Sequence, residues 1–206
     1  MTIINAFVAQ EHALIGCDTE CRGDDGTIHQ VAKMLPIVHM NSVLAVAGNL
    51  LYANKLLGLT HLAAADFDKL LGDMPKLLRL ALQMTRTQGE LSGVKFQKDP
   101  AGETVFLVGY SAKQARMIGR CWNDFAEREI NCSVHPSFHT YDPHLLERLK
   151  ALPMPDSPSA MARMAQEQAA IFREHPELFP TVHVGGKFIV AEIKREAMTI
   201  RPAGIL

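Results

Sequence analysis

The sequence predicts an α+β fold of four layers, αββα, in which two stacked sheets are each covered by a pair of helices. Three observations lead there: strand-like segments fill the stretch before Asn49, two helical stretches follow at residues 49–87 and 142–171, and strand pairs lie between and after them. Each sheet must bury one face on the other sheet and its second face under helices, which gives the layer order. With 206 residues, 48% of them hydrophobic, the chain can bury one sizeable core, so a single domain over residues 1–206 is expected.

Taken in order, Ile3, Ile4, Ala6, Phe7 and Val8 make a β-rich stretch that Gln10-Glu11-His12 breaks and residues 13–17 resume, an opening hairpin. The polar run Arg22-Gly23-Asp24-Asp25-Gly26 is a loop, and residues 31–38 and 42–47 read as two more strands, four before any helix. From Asn49, leucines recur near helical spacing. They predict two helices divided within residues 59–65, with Asp66 as N-cap of the second and a kink or restart at Pro75. Residues 98–102 are a turn, and residues 103–110 and 115–121 form a second hairpin. Asp142-Pro143 and Ser157-Pro158 each place a cap and a proline at the start of a further helix. Gly185-Gly186 leads into a closing strand pair at residues 188–193 and 198–200.

Composition excludes several classes. Lys and Arg number 21 against 22 Asp and Glu, so no global field recruits nucleic acid or an acidic membrane. No apolar run approaches the length of a bilayer span, and the first residues lack a basic signal region, which predicts a cytoplasmic protein. Cys17, Cys21, Cys121 and Cys132 contain no CxxC and are read as reduced thiols. His135, His139, His144, His175 and His183 lack the helical pairing with an acid that zinc sites use and are read as ordinary loop histidines, so neither metal nor cofactor is expected. Met154, Met161, Met164 and Met198 are read as core fillers and Trp122 as a sheet-edge or interface anchor.

Four stretches carry a resemblance: Thr2-Ile3-Ile4, then Leu14-Ile15-Gly16-Cys17-Asp18-Thr19, then Lys33-Met34, then Ala45-Val46-Ala47-Gly48. In type, order and approximate spacing they resemble proteasome β-subunits and the bacterial HslV-type peptidase, N-terminal-nucleophile (Ntn) hydrolases of proteasome-like type. Residues 106–110 resemble that family's central hairpin and residues 184–190 its entry into the last sheet, so the resemblance covers nearly the whole chain.

The resemblance implies a threonine-type amidohydrolase or peptidase whose nucleophile is the hydroxyl of Thr2, exposed at the N-terminus by removal of Met1. A threonine hydroxyl needs a base within hydrogen-bond reach. The threonine's own α-amine can be that base, since its ordinary pKa of about 7.7–8.0 lies near operating pH. Asp18 and Lys33 take two further family positions: a lysine ammonium favours loss of the hydroxyl proton, and an aspartate holds that ammonium. The N–H of Gly48, just before a helix, is the implied oxyanion donor. Taken alone, Lys33 reads as a solvated surface lysine and Asp18 as a strand-end turn residue; together with Thr2 they read as a site.

The chain also departs from the family. Residues 132–139 lack its small serine-glycine turn and residues 178–185 lack its Asp-x-x-Ser-Gly stretch, both of which brace the threonine amine; Pro180 falls where the aspartate belongs and His183 where the serine belongs, with Ser137 or Thr181 as substitutes. A second reading therefore stands beside the first: a non-catalytic ring or scaffold subunit that keeps the fold without the chemistry. Both readings imply a homo-oligomeric ring or double ring, with a peptide or unfolded protein as the substrate of the active form. The G-x-x-x-x-G-K-[ST] phosphate loop is absent from the sequence, so ATP dependence would come from a separate unfoldase.

Overall fold

The computed structural model describes residues 2–23, 26–63, 65–93, 103–135, 142–179 and 182–206. The opening hairpin is β1 (Ile4–Val8) and β2 (His12–Asp18), paired antiparallel with Ile4 opposite Cys17. A two-stranded ribbon follows, β3 (Glu20–Arg22) with β4 (Ile28–Gln30). Next come β5 (Met34–Ile37) and β6 (Ser42–Ala47), joined by a 3₁₀ turn that ends on left-handed Asn41. Among the described residues six strands, not four, thus precede the first α-helix. The expected strand over residues 31–38 is really β5 alone, because Val31 spends its N–H on the carbonyl of Thr19 (2.8 Å) and Lys33 offers its carbonyl to Val46 (3.2 Å) outside a regular ladder.

The helices are α1 (Leu50–Ala63) and α2 (Phe67–Ser92), and Asp66 caps α2 by accepting the N–H of Lys69 at 2.8 Å, as expected. The expected restart at Pro75 does not occur: α2 runs through it. A proline inside a helix costs ~3 kcal/mol, but Leu70, Met74, Leu77 and Leu78 on one face of α2 are all buried. At ~1.5–3 kcal/mol for each large apolar side chain, that burial outweighs the proline cost.

Strands β7 (Thr104–Ser111), β8 (Arg116–Asn123) and β9 (Ala126–Glu129) form a meander, and β10 (Cys132–His135) crosses to the first sheet. Neither β9 nor β10 is foreseen by the sequence reading. The β8–β9 loop is Asp124–Phe125 with φ of 48° and 66°, two left-handed residues as a tight hairpin requires. Helices α3 (Pro143–Lys150) and α4 (Pro158–Glu174) begin at the expected caps, Asp142 and Ser157. The chain closes with β11 (Lys187–Lys194) and β12 (Met198–Ile205), paired antiparallel. The turn at residues 98–102 lies outside the described residues.

Two five-stranded sheets result, ordered β10-β1-β2-β11-β12 and β5-β6-β7-β8-β9. Three apolar layers separate four structural ones. Ile4, Ile15, Cys17, Val43, Ala45, Phe106 and Val108 fill the space between the sheets. Leu44, Val46, Leu56, Leu70, Met74 and Leu107 join the second sheet to α1 and α2. Leu14, Met161, Met164, Ala165, Phe188 and Val190 join the first sheet to α3 and α4. Period-2 alternation produces this sorting: within β6, Leu44 and Val46 turn to the helices while Val43 and Ala45 turn to the other sheet. Trp122 is a correction. It is buried under α1 and α2 rather than at a sheet edge, because β9 lies outside β8 and makes β8 an interior strand. Met161 and Met164 are core fillers as expected, whereas Met154 is exposed. Among the described residues no helix is long and apolar enough to cross a membrane.

Candidate functional site

The site is built where β1 begins, β2 ends and β5 begins. Ile4 pairs with Cys17, so the next step of the ladder sets Ile3 against Asp18. There the carboxylate enters the backbone pairing: Asp18 Oδ1 accepts the N–H of Ile3 at 2.9 Å, and the N–H of Asp18 donates to the carbonyl of Ile3 at 3.3 Å. Thr2, itself buried, is thus anchored through the residue that follows it. Ile3 packs in the layer against α3 and α4, and Ile4 in the layer between the sheets. Continued alternation assigns Thr2 to the side of the second sheet.

Lys33 comes from that second sheet, immediately before β5, and its Nζ lies 2.7 Å from Asp18 Oδ2. It also donates to the carbonyl of Glu20. Both members are buried, so this is not a solvated surface lysine. Burial pushes the Asp18 carboxyl upward from its ordinary range, while the Lys33 ammonium and the N–H groups of Ile3 and Gly185 pull it down. Burial also raises the neighbouring Cys17 thiol to about 12, with the Asp18 charge adding to it, which keeps that thiol protonated and inert.

The diglycine has a role that sequence reasoning missed. Phe188 pairs with Asp18, so the residues just before β11 pass beside the carboxylate, and the backbone N–H of Gly185 pulls its pKa down. The Gly185 carbonyl accepts from Glu20 at 3.2 Å. Gly186 has φ +73°, and a Cβ there would lie 2.3 Å from Gln30 Oε1 and 2.7 Å from Thr19 Oγ1. Thr19 Oγ1 in turn accepts the N–H of Lys187 at 3.0 Å and donates to Gln30. The diglycine is legible in sequence as a strand entry; its service to Asp18 needed the pairing of β11 with β2.

Gly48 directly follows β6 and precedes α1, with φ +142°, a conformation that residues with an L side chain rarely adopt. Its tight contact is with Glu103 rather than with Thr2, Asp18 or Lys33: Glu103 Oε2 accepts the N–H of Asn49 at 2.8 Å and occupies the space where a side chain on residue 48 would begin. Burial pushes the Glu103 carboxyl up to about 7. This residue was also missed, because nothing in the sequence links it to Gly48 across the intervening two helices.

The segments that depart from the family are partly described. Residues 136–140, with Ser137, and Pro180 and Thr181 lie outside the described residues, as does Met1. His183 contacts Arg22 Nη1 at 2.6 Å. His135 belongs to β10 rather than a loop, opposite Ile4, and burial lowers its imidazole to about 4, so it is neutral at pH 7.

Two stacked antiparallel sheets enclosed by helices, with the first strand starting at the aspartate–lysine pair, constitute the proteasome-like Ntn hydrolase fold. Among solved structures, the chain is similar to a mutant of Anbu, a proteasome-like Ntn hydrolase, from Hyphomicrobium sp. strain MC1, with TM-score 0.63 and 17% identity over 99% of this chain and 88% of that one. No protein-family model matches the sequence, and no curated protein matches it.

Proposed function

We propose that the chain is a threonine-type amidohydrolase or peptidase acting through Thr2. The observation that carries this reading is that Asp18 is bonded at once to Lys33 and to the peptide N–H next to Thr2. In the proposed reaction Met1 is first removed. The Thr2 hydroxyl oxygen then attacks the amide carbonyl carbon while its proton passes to the Thr2 α-amine. Lys33 supplies positive charge that favours the alkoxide, and Asp18 fixes the ammonium. The Gly48 N–H stabilises the tetrahedral oxyanion. Collapse expels the leaving amine, which takes the proton from the α-amine, and water hydrolyses the remaining ester. No cofactor enters this scheme.

The proposal includes a closed homo-oligomeric ring, single or stacked, that encloses Thr2 and admits peptides or unfolded chains in the cytoplasm. Leu62 and Leu91 of the two covering helices, 88% and 84% exposed, are the apolar positions assigned to the contact between its subunits. A heterologous contact that closes on itself makes such rings. A peptide epoxyketone should add its mass to Thr2 of Met1-free protein; no adduct in intact-mass spectra would overturn the reading.

A second reading, a non-catalytic ring subunit, is favoured by the departures from the family's bracing segments at residues 132–139 and 178–185. N-terminal sequencing of the native protein separates the two. Retained Met1 leaves Thr2 with an acylated nitrogen and no free base, and the scaffold reading then holds.

A further inference from the structure

We propose that Glu103 is a positioning residue that fixes the Gly48–Asn49 turn as the oxyanion-binding element, an inference that rests on the threonine-nucleophile reading above. Glu103 directly precedes β7. Continuing the β6–β7 register one step beyond Ala47 opposite Thr104 sets it across from Gly48. Its Oε2 accepts the N–H of Asn49 at 2.8 Å and lies 1.0 Å from the position a Cβ on residue 48 would take. That single oxygen therefore does two things: it ties down the peptide that follows Gly48, and it occupies the room any larger residue would need.

The helix does not require this carboxylate. Asn49 already caps α1, its Oδ1 accepting the N–H groups of Leu51 at 2.8 Å and Tyr52 at 3.2 Å, and its carbonyl accepting from Ala53 at 3.0 Å. Placing an acidic group in a largely buried position is unfavourable. What it secures is residue 48. A glycine is the residue most free to swing, and an N–H donor stabilises a developing oxyanion only if it is already aimed when the charge forms. The Glu103–Asn49 bond on one side and the end of the β6 ladder on the other hold the Gly48 peptide at φ +142°.

The test uses the full-length, Met1-free protein, with a peptide epoxyketone as probe and Thr2→Ala as the unlabelled control. Labelling of Thr2 is separated into the affinity of the reversible complex and the maximal rate of adduct formation. Glu103→Ala should lower the maximal rate at least tenfold with affinity within twofold, and should speed amide exchange of Asn49. Glu103→Gln, which keeps an acceptor oxygen, should stay within threefold of the parent on both readouts. Should Glu103→Ala not fold, Glu103→Met, of similar length and without that acceptor, should show the same tenfold loss. Wild-type labelling with an unchanged maximal rate in the Ala or Met variant would overturn this proposal alone. Absence of any wild-type adduct would overturn the threonine reading and this inference with it, whatever the exchange of Asn49.

Discussion

Asp18 and Ile3 hold each other reciprocally: the Asp18 carboxylate accepts the Ile3 N–H at 2.9 Å while the Asp18 N–H donates to the Ile3 carbonyl at 3.3 Å. The arrangement extends the β1–β2 ladder one residue beyond its regular end, with a side chain standing in for one backbone acceptor. It leaves Asp18 Oδ2 free to face the second sheet, where Lys33 meets it at 2.7 Å. One carboxyl group thus links the N-terminal segment to both sheets.

Breaking that link should be costly. In Lys33→Met the Asp18 carboxyl stays buried with only N–H donors, and loss of one partner of a buried ion pair typically costs about 3–5 kcal/mol. Urea unfolding at pH 7 is expected to show a loss in that range. Because Asp18 in the variant must either remain charged without a cation or take up a proton, the loss should shrink as pH falls towards the ordinary carboxylate range. A change below about 1 kcal/mol would mean the pair is not formed.

Glu103 should give folding stability a distinct pH dependence. Its carboxyl is raised to about 7 from an ordinary 4.5, so between those values the folded state holds a proton that the unfolded state has released. The sign follows: the group's contribution is intact below pH 4.5, falls as pH rises through 4.5–7, and is level above that. The full difference is at most about 3 kcal/mol. Glu103→Gln does not titrate, so relative to wild type it should be progressively more stable at pH 8 than at pH 4.5. Parallel stability curves for the two proteins would contradict the assigned shift.

Gly48→Ala combines a φ of +142° with a methyl group placed on the Glu103 carboxylate. Overpacking alone costs about 1–3 kcal/mol, and the backbone conformation adds to it. Thermal or urea unfolding should show a loss above about 2 kcal/mol. In the double variant Gly48→Ala/Glu103→Ala the steric part is relieved, so the combined loss should be smaller than the sum of the single losses. Strict additivity would show that the two residues do not compete for the same space.

Ring assembly is expected to give a light-scattering mass many times the 22.7 kDa of the chain at micromolar concentration. Leu62→Lys and Leu91→Lys change side chains that are almost fully exposed in the single chain. They should therefore leave chain stability within about 0.5 kcal/mol while shifting the mass downward. A wild-type monomer at physiological salt would remove the enclosed-chamber argument.

Much of the fold was legible in the sequence because it is written in local chemistry. Asp66, Asp142 and Ser157 announce their helices through side chains that can accept N–H groups three residues or fewer onward. The hairpins at residues 4–18 and 104–123 follow from continuous β-branched and apolar runs. Candidate site residues Thr2, Asp18, Lys33 and Gly48 were read from a family resemblance, and the pairing of Asp18 with Lys33 had no local signal.

Tertiary structure decided the rest. β9 and β10 carry little apolar patterning, and β9 is wholly exposed; they are strands because β8 and β1 offer them unpaired ladder groups. Trp122 is core because β9 displaces the sheet edge outward. Pro75 stays helical because its neighbours are buried on a common face. The sequence by itself determined which segments form helices and the main hairpins, since caps, turns and periodicity act over a few residues. Only the tertiary structure decided that Gly185 would serve Asp18, that Lys33 would be buried against it and that Glu103 would hold Gly48. Those pairs are separated by 167, 15 and 55 residues in the chain, and short-range contacts of a few ångströms form only after sheet pairing has brought their strands together.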